Sequence, residues 1–447
     1  MTAPAPRSSG AWRRARRILL DPRTLGVMQA GPRTLRFMSR ARNAADGDSA
    51  AVFNPSFGLA AQVLLDEVLI AAMRNPRLFP HGDDYERAGA EIRQAHSLWT
   101  ERGWLADPAS YHDDPPVPSG WTTRREVTIN QSYEALTFPS GYEPRPGEPG
   151  RDRWLERRAN HTMHAAVVRT RHPDRPWLLC IHGFGTGRPS LDFRAFRARH
   201  LSRDLGVNLM FPVLPVHGPR QEPGADVGEG FMSINLLDSV HGMAQSVWDV
   251  RSCIRWLHSQ FGPAAVGVYG ISLGGHVAAL TASLESDLAC VIAGVPAVDM
   301  ADLYQRHAPP AVRRRALQAG ALGPEANAVY SVVSPLVLKP KVPLAGRYMF
   351  AGLGDRMANF GQAERLWRHW DRPRMASYPG GHLGFYWAAG LRDFVDGALV
   401  ETGLAERPLA LTLATSSSRA SATPSDISHS SGTSSRQARN PKPTDSM

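Results

Sequence analysis

The residues with the clearest chemical meaning form the pentapeptide Gly-Ile-Ser-Leu-Gly at positions 270–274, between a β-branched run and an Ala-rich run. A serine placed in this way between two glycines, after a strand and before a helix, is typical of a nucleophile elbow. This sharp turn holds a hydroxyl out at the edge of a sheet. Glycine is needed on both sides because larger side chains would collide at the strained turn. The pattern predicts that Ser272 is a nucleophile, and the competing interpretation is an ordinary serine in a Gly-rich turn.

A serine nucleophile requires a general base and an acid that orients this base. We predict that the base is His382, in the Gly-rich loop 379–384 between the last predicted strand and the last predicted helix. We predict that the acid is Asp355, which follows the predicted strand 347–351, with Asp299 as the alternative. A competing interpretation of Asp355 is that it caps the next helix.

An oxyanion hole needs two backbone N–H groups that point at the developing negative charge, and the sequence offers candidates for both. One donor is the N–H of Leu273, directly after the serine. The other is the N–H of Phe184 in the His-Gly-Phe-Gly sequence 182–185, with Gly185 as the alternative. We expect His182 to brace this loop rather than to react.

The long Gly- and Pro-rich loop 214–238 contributes two substrate-binding candidates, His217 and Arg220. They would lie near the carboxyl end of a strand and could bind a polar or anionic group of the substrate, or they could pin the loop structurally. We predict no metal site, because His161 and His164 lack helical i, i+4 spacing and a third ligand. The Gly-rich loops do not match a phosphate-binding pattern, so we expect no cofactor.

The elements that must position these side chains alternate between strands and helices over residues 121–403, the predicted catalytic domain. Apolar runs typical of strands that are buried on both faces recur at 177–181, 207–211, 266–269 and 288–295. This order predicts an α/β fold with a mainly parallel sheet and helices on both faces. A small helical cap insert is predicted at about residues 299–335.

Three further segments lie outside this domain: a basic N-terminal arm, partly disordered, at 1–48, a helical N-terminal extension at 49–120, and a disordered Ser-rich tail at 404–447. The extension could cover the active site as a lid, but we favour the interpretation that it covers a sheet edge. Residues 7–42 contain ten arginines and one acid. This arm could contact an anionic membrane surface, although we favour a solvated arm or a docked strap.

The composition of the chain indicates which partners and which cellular compartment to expect. The chain has 447 residues and a net charge of +10, but nearly all of the positive charge is arginine and no aromatic–basic pattern accompanies it, so we expect no nucleic-acid partner. Its three cysteines form no spaced pair, which indicates thiols in a reducing compartment and a cytoplasmic protein. The longest apolar run, 59–73, is interrupted by Asp66 and Glu67 and is too short for a membrane span.

Four motifs together resemble those of the α/β-hydrolase superfamily over roughly residues 121–400: the sequences 182–185, 270–274, 354–355 and 380–382. The order Ser, Asp, His along the chain is also the order found in that superfamily. The loop 214–220 and the Gly-Glu-Gly-Phe sequence at 228–231 resemble a branch named only as an α/β-hydrolase domain-containing protein.

The resemblance implies the α/β-hydrolase fold and an esterase- or lipase-like serine hydrolase that acts on a small-molecule acyl ester without a cofactor. The same triad would carry out acyl transfer in a site that excludes water and admits an alcohol. A third hypothesis is a non-catalytic binding protein that keeps the fold.

Overall fold

The computed structural model describes residues 22–44, 56–73, 82–128, 131–172, 174–225, 228, 230, 231 and 235–406. Its strands are β1 (Thr122–Thr128), β2 (Gln131–Pro139), β3 (Thr162–Val168), β4 (Trp177–Ile181), β5 (Asn208–Pro212), β6 (Val266–Ile271), β7 (Leu288–Gly294), β8 (Arg347–Gly352) and β9 (Arg374–Tyr378). Within the described residues these nine strands form one sheet in the spatial order β1-β2-β3-β5-β4-β6-β7-β8-β9.

The sheet is mainly parallel, as the sequence predicted. Strands β4 to β9 run parallel to one another. Strands β1, β2 and β3 form an antiparallel edge, and β3 joins it to β5. Every residue of β4, β5 and β6 is buried, as expected for strands that are covered on both faces.

Helices cover both faces of this sheet. They are α1 (Pro22–Ala44), α2 (Phe57–Met73), α3 (Asp84–Glu101), α4 (Arg151–Leu155), α5 (Pro189–Ala195), α6 (Ala198–Arg203), α7 (Leu236–Phe261), α8 (Leu273–Leu284), α9 (Met300–His307), α10 (Pro310–Ala319), α11 (Pro324–Ser331), α12 (Phe360–His369) and α13 (Ala389–Glu401). Side chains of β4 alternate between two cores, because successive residues of a strand point to opposite faces. Trp177 and Leu179 pack in the core under α7 and α8, whereas Leu178 and Cys180 pack in the core under α5, α6 and α13.

The N-terminal helices pack against two different parts of the domain. Helix α1 lies along α2, and α3 packs against α10 and α11. Tyr85 and Ala88 of α3 form a small apolar cluster with Ala316 and Ala321. The helices between β7 and β8, predicted as a cap insert, therefore rest on the N-terminal extension.

The structure departs from the predicted elements in a few places. Strand β2 was not predicted, because most of its residues are half-buried and it has no continuous apolar run. Helices α5 and α6 are separate, because the chain breaks near Arg197, whose φ is 53°. The predicted start of the tail is too early, since Leu404 is fully buried. The tail from residue 407 and the arm before residue 22 lie outside the described residues.

Candidate active site

Ser272 lies on a strained turn between β6 and α8. Its φ and ψ are 59° and −115°, a backbone conformation that is rare for a residue with a side chain. The flanking glycines are required by close packing. A Cβ on Gly270 would lie 1.9 Å from the carbonyl oxygen of Gly274, and a Cβ on Gly274 would lie 1.9 Å from that of Ile181. The turn therefore has the geometry of a nucleophile elbow.

The structure brings the three predicted triad side chains into one hydrogen-bonded chain. His382 Nε2 lies 3.0 Å from Ser272 Oγ, and His382 Nδ1 lies 2.6 Å from Asp355 Oδ2. With its proton on Nδ1, the imidazole donates to Asp355 and accepts from the serine hydroxyl. Burial alone would lower the pKa of His382, but the charge and hydrogen bond of Asp355 outweigh it, and the net shift is upward.

The second oxygen of Asp355 holds its own loop in place. Oδ1 accepts hydrogen bonds from the backbone N–H groups of Met357 and Ala358, each at 2.8 Å. The carboxylate therefore caps its turn as well as facing the histidine. The alternative acid, Asp299, caps α9 through the N–H of Asp302 and pairs with Arg365.

A further carboxylate, Asp66 of α2, contacts both loops and was not predicted from the sequence. Its Oδ2 accepts from the backbone N–H of His382 at 2.8 Å and from that of Arg356 at 3.0 Å. Burial, followed by the charge of Asp355, raises the pKa of Asp66 to about 6. One sequence signal was available, because Asp66 and Glu67 interrupt the apolar run 59–73.

The predicted oxyanion loop lies against the serine. A Cβ on Gly183 would lie 3.5 Å from Ser272 Cβ, and Phe184 and Gly185 line the same cavity as Ser272. Leu273 is the first residue of α8, so its N–H is among those at the start of a helix that have no intrahelical partner. Both predicted donors, Phe184 and Leu273, are thus located beside the nucleophile.

His182 braces this loop. Its Nε2 accepts from the backbone N–H of Leu214 at 3.0 Å, and its Nδ1 lies 2.8 Å from the carbonyl oxygen of Gly183. Burial, with a smaller contribution from His217, lowers the pKa of His182 to about 3. The ring is therefore neutral at ordinary pH and links the oxyanion loop to the segment after β5.

His217 and Arg220 do not line the cavity that contains Ser272. Arg220 is fully buried, and its guanidinium pairs with Asp249 at 2.7 Å and donates to the carbonyl oxygens of Val213 and Asn160. His217 is also fully buried, and its Nδ1 lies 2.8 Å from the carbonyl oxygen of Pro215. These contacts correspond to the loop-pinning alternative rather than to substrate binding.

A cavity of about 490 Å³ opens at Ser272 and His382. Most of its lining is apolar. These side chains come from α2, the oxyanion loop, the end of α5, the end of β6 and the loops that carry Asp355 and His382: Leu69, Ala72, Met73, Phe184, Ala195, Phe196, Ile271, Met357, Leu383 and Phe385. Of the described residues that line it, none belongs to loop 214–238 or to the insert 299–335. The N-terminal extension therefore forms part of the cavity wall. This differs from the interpretation favoured from the sequence, in which the extension only covers a sheet edge.

Two further properties concern cofactors and membranes. Among the described residues, no group of three or more His, Cys, Asp or Glu side chains is arranged to hold a metal ion. No helix in the described part of the chain is long and apolar enough to cross a membrane.

The sheet, the elbow and the order of Ser272, Asp355 and His382 together define an α/β-hydrolase fold. A family model described as "Alpha/beta hydrolase domain containing 18" matches residues 157–301. Two proteins from two strains of Mycobacterium tuberculosis, "Uncharacterized protein MT2702" and "Uncharacterized protein Rv2627c", are each 39% identical over 366 residues, which cover 81% of this chain and 86% of theirs. The chain belongs to the α/β-hydrolase superfamily and shares a family with these mycobacterial proteins.

Solved structures with similar folds include esterases at low sequence identity. Acetyl xylan esterase 1 from Thermoanaerobacterium sp. is 15% identical with a TM-score of 0.47, over 67% of this chain and 93% of that one. A cold-adapted esterase from an Arctic intertidal metagenomic library is 15% identical with a TM-score of 0.40, over 63% of this chain and 99% of that one. The superfamily assignment itself, with its α/β-hydrolase fold, supports a hydrolase-type function.

Proposed function

We propose that this protein is a serine hydrolase that cleaves a carboxylic ester through an acyl-enzyme. The observation that carries the proposal is the hydrogen-bonded chain from Ser272 through His382 to Asp355, which ends at an apolar cavity. A hydroxyl is a weak nucleophile until a neighbouring base takes its proton, and this arrangement provides such a base with an orienting carboxylate.

In the proposed reaction, Ser272 Oγ attacks the acyl carbonyl carbon while His382 Nε2 takes the serine proton. Asp355 stabilises the imidazolium, and the N–H groups of Leu273 and Phe184 hold the oxyanion. The tetrahedral intermediate collapses, and the departing alkoxide takes the proton from His382 to leave as an alcohol. Water then attacks the acyl-enzyme and gives a proton to His382. This proton returns to Ser272 as the carboxylic acid leaves.

The lining of the cavity supports an ester with an apolar portion. Its volume of about 490 Å³ is in the usual range for small-molecule sites, and mainly aliphatic and aromatic side chains surround it. Chromogenic esters of increasing acyl length test this. We expect kcat/KM to rise with chain length until the cavity is filled and then to fall. Equal rates for acetyl and longer esters would show that this cavity does not bind the acyl chain.

The proposed nucleophile can be tested with a fluorophosphonate probe on the full chain. We expect the wild type to be labelled and Ser272→Ala to lose both labelling and ester hydrolysis. The matched control is Ser286→Ala, an exposed serine outside the cavity, which should keep both. Labelling that persists in Ser272→Ala would mean that another residue is the nucleophile.

We also propose that α1 and α2 contact an anionic membrane surface. Large apolar side chains on these helices are exposed to solvent: Met28 (62%), Leu35 (72%), Phe57 (97%), Leu64 (40%) and Leu65 (38%). Exposed Arg36 and Arg40 on α1 supply charge that complements anionic headgroups. Because the end of α2 also lines the cavity, docking there would bring an acyl chain close to Ser272.

Co-sedimentation with vesicles tests this contact. We expect the full chain to pellet with phosphatidylcholine–phosphatidylglycerol vesicles and much less with phosphatidylcholine alone. The double variant Leu64→Ser, Leu65→Ser should reduce the pelleted fraction severalfold. Val127→Ser, which changes a 73% exposed side chain on the edge strand β1, is the control and should pellet like the wild type. Equal pelleting of the double variant and the wild type would contradict the proposal.

A further inference from the structure

Helix α2 buries two acidic side chains on the same inward face as the apolar residues Leu59, Val63, Ile70 and Ala71. Asp66 and Glu67 are 1% and 3% exposed, whereas Phe57, Leu64 and Leu65 on the same helix face solvent. An amphipathic helix normally buries its apolar side. A buried carboxylate carries a desolvation cost of several kcal/mol unless it is compensated by hydrogen bonds or by an opposite charge, so the partners of these acids are informative.

Asp66 and Gln62, one helical turn apart, bind the backbone of the two loops that carry the proposed acid and base. Oδ2 of Asp66 accepts from the N–H of Arg356, the residue after Asp355, and from the N–H of His382 itself. Oε1 of Gln62 accepts from the N–H of Gly381 at 3.0 Å. One helix therefore ties the two loops together.

The glycines of these loops fit this interpretation. A Cβ on Gly381 would lie 2.9 Å from Asp66 Oδ2, and a Cβ on Gly380 would lie 2.5 Å from Gln62 Oε1. In the acid loop, a Cβ on Gly354 would lie 2.5 Å from a methyl group of Leu59. These glycines let α2 approach the backbone of both loops closely.

The charge of Asp66 also acts on the proposed acid and base, Asp355 and His382. It raises the pKa of His382 in addition to the larger effect of Asp355. The other charged groups that face this cluster are Arg356 and Glu67, which pair at 3.0 Å, and Arg33 of α1, which lies 3.5 Å from Glu67. Among the described residues, Glu67 pairs with the side chains of Arg356 and Arg33, whereas Asp66 contacts the backbone of both loops.

We infer that Asp66 is a positioning residue of the proposed hydrolase, an inference that rests on the proposed function. Its two hydrogen bonds fix the Asp355 and His382 loops relative to each other. Its charge stabilises the imidazolium that forms when His382 takes the proton of Ser272. Helix α2, which precedes the hydrolase domain in the sequence, is thereby part of the catalytic apparatus.

The variant Asp66→Asn separates this role from simple folding support. An amide oxygen can still accept both N–H groups, but the charge is lost. We expect kcat to fall roughly tenfold, or about 1.4 kcal/mol, at an unchanged KM, and the acidic limb of the kcat–pH profile to move to lower pH because the charge of Asp66 no longer raises the pKa of His382. Glu67→Gln, which removes an equally buried acid from the same helix, should leave both readouts as in the wild type.

The inference is overturned if Asp66→Asn keeps the wild-type kcat and the wild-type acidic limb. It is also overturned if Glu67→Gln shows the same changes, because the effect would then be a general loss of buried charge. Urea unfolding of each variant identifies losses of activity that come from unfolding. The wild type, Asp66→Asn and Glu67→Gln can also be compared by the rate at which a fluorophosphonate labels Ser272, which requires no known substrate. Wild-type protein that neither hydrolyses esters nor reacts with the probe would refute the proposed function, and the role of Asp66 with it.

Discussion

At the scale of single residues, the protonation of His382 decides when the site can react. A general base must be neutral to accept a proton, and the carboxylates of Asp355 and Asp66 outweigh burial and raise the pKa of this imidazole above its ordinary value of 6.5. We therefore expect kcat/KM for a chromogenic ester to fall as the pH drops through a value above 6.5. An acidic limb centred well below 6 would contradict this arrangement.

The acid can be tested by removing its charge. Asp355→Asn should reduce kcat by as much as about 10⁴-fold, the loss seen when the corresponding acid of a serine triad is replaced by its amide. Asp299→Asn is the matched control, because Asp299 caps α9 and pairs with Arg365. Steady-state kinetics of both variants check the prediction. A larger loss in Asp299→Asn would transfer the acid role to that residue.

At the scale of elements, the elbow depends on two backbones that nearly touch. Gly274→Ala would place a methyl group 1.9 Å from the carbonyl oxygen of Ile181, so β4 or α8 must shift. Overpacking of this kind costs up to about 3 kcal/mol, and we expect a loss of that size in urea unfolding together with a loss of probe labelling.

The control for this substitution is another helical glycine. A Cβ on Gly397 of α13 would have no neighbour within 4 Å. Gly397→Ala should leave labelling unchanged and stabilise the protein by about 0.5–1 kcal/mol, because alanine has the higher helix propensity. Equal destabilisation by the two variants would show that steric contact at the elbow is not the cause.

The elements that local patterns encode were predictable from the sequence, and the contacts between distant elements were not. Buried apolar runs predicted the central strands. Because Ser272, Asp355 and His382 follow the ends of such strands, the sequence also predicted that they lie at one edge of the sheet. The hydrogen bond from His382 to Asp66 joins residues 316 positions apart, and no periodicity encodes it. The role of Arg220 was undecided for the same reason, since its partner Asp249 lies on α7. In α2, an apolar run broken by two acids indicated a helix but not which side faces inward.

At the scale of the whole molecule, the fold buries many titratable side chains in a neutral form. Burial is the largest cause of a lowered pKa in five histidines, of which the first is half-buried and the other four are buried: His112, His182, His217, His241 and His276. The unfolded chain therefore takes up protons at these rings as the pH falls from about 6.5, while the folded chain does not. Three buried carboxylates with raised pKa, Asp66, Asp192 and Asp249, and His382 act in the opposite direction.

The histidines outnumber these opposing groups, so we expect the free energy of unfolding to decrease as the pH is lowered from 7 to 4.

The variant His217→Phe tests the contribution of one buried histidine to this pH dependence. Burial, with a smaller effect of Arg220, lowers the pKa of His217 to about 4, and its ring packs against Phe184 and Phe231. Each such ring contributes a slope of up to about 1.4 kcal/mol per pH unit between pH 6.5 and pH 4. Urea unfolding across this range should show a shallower slope in His217→Phe. The exposed control His172→Gln should keep the wild-type slope, because this ring is in contact with water in both states. A wild-type stability that rises on acidification would mean that the buried carboxylates, rather than the histidines, control the response of the fold to pH.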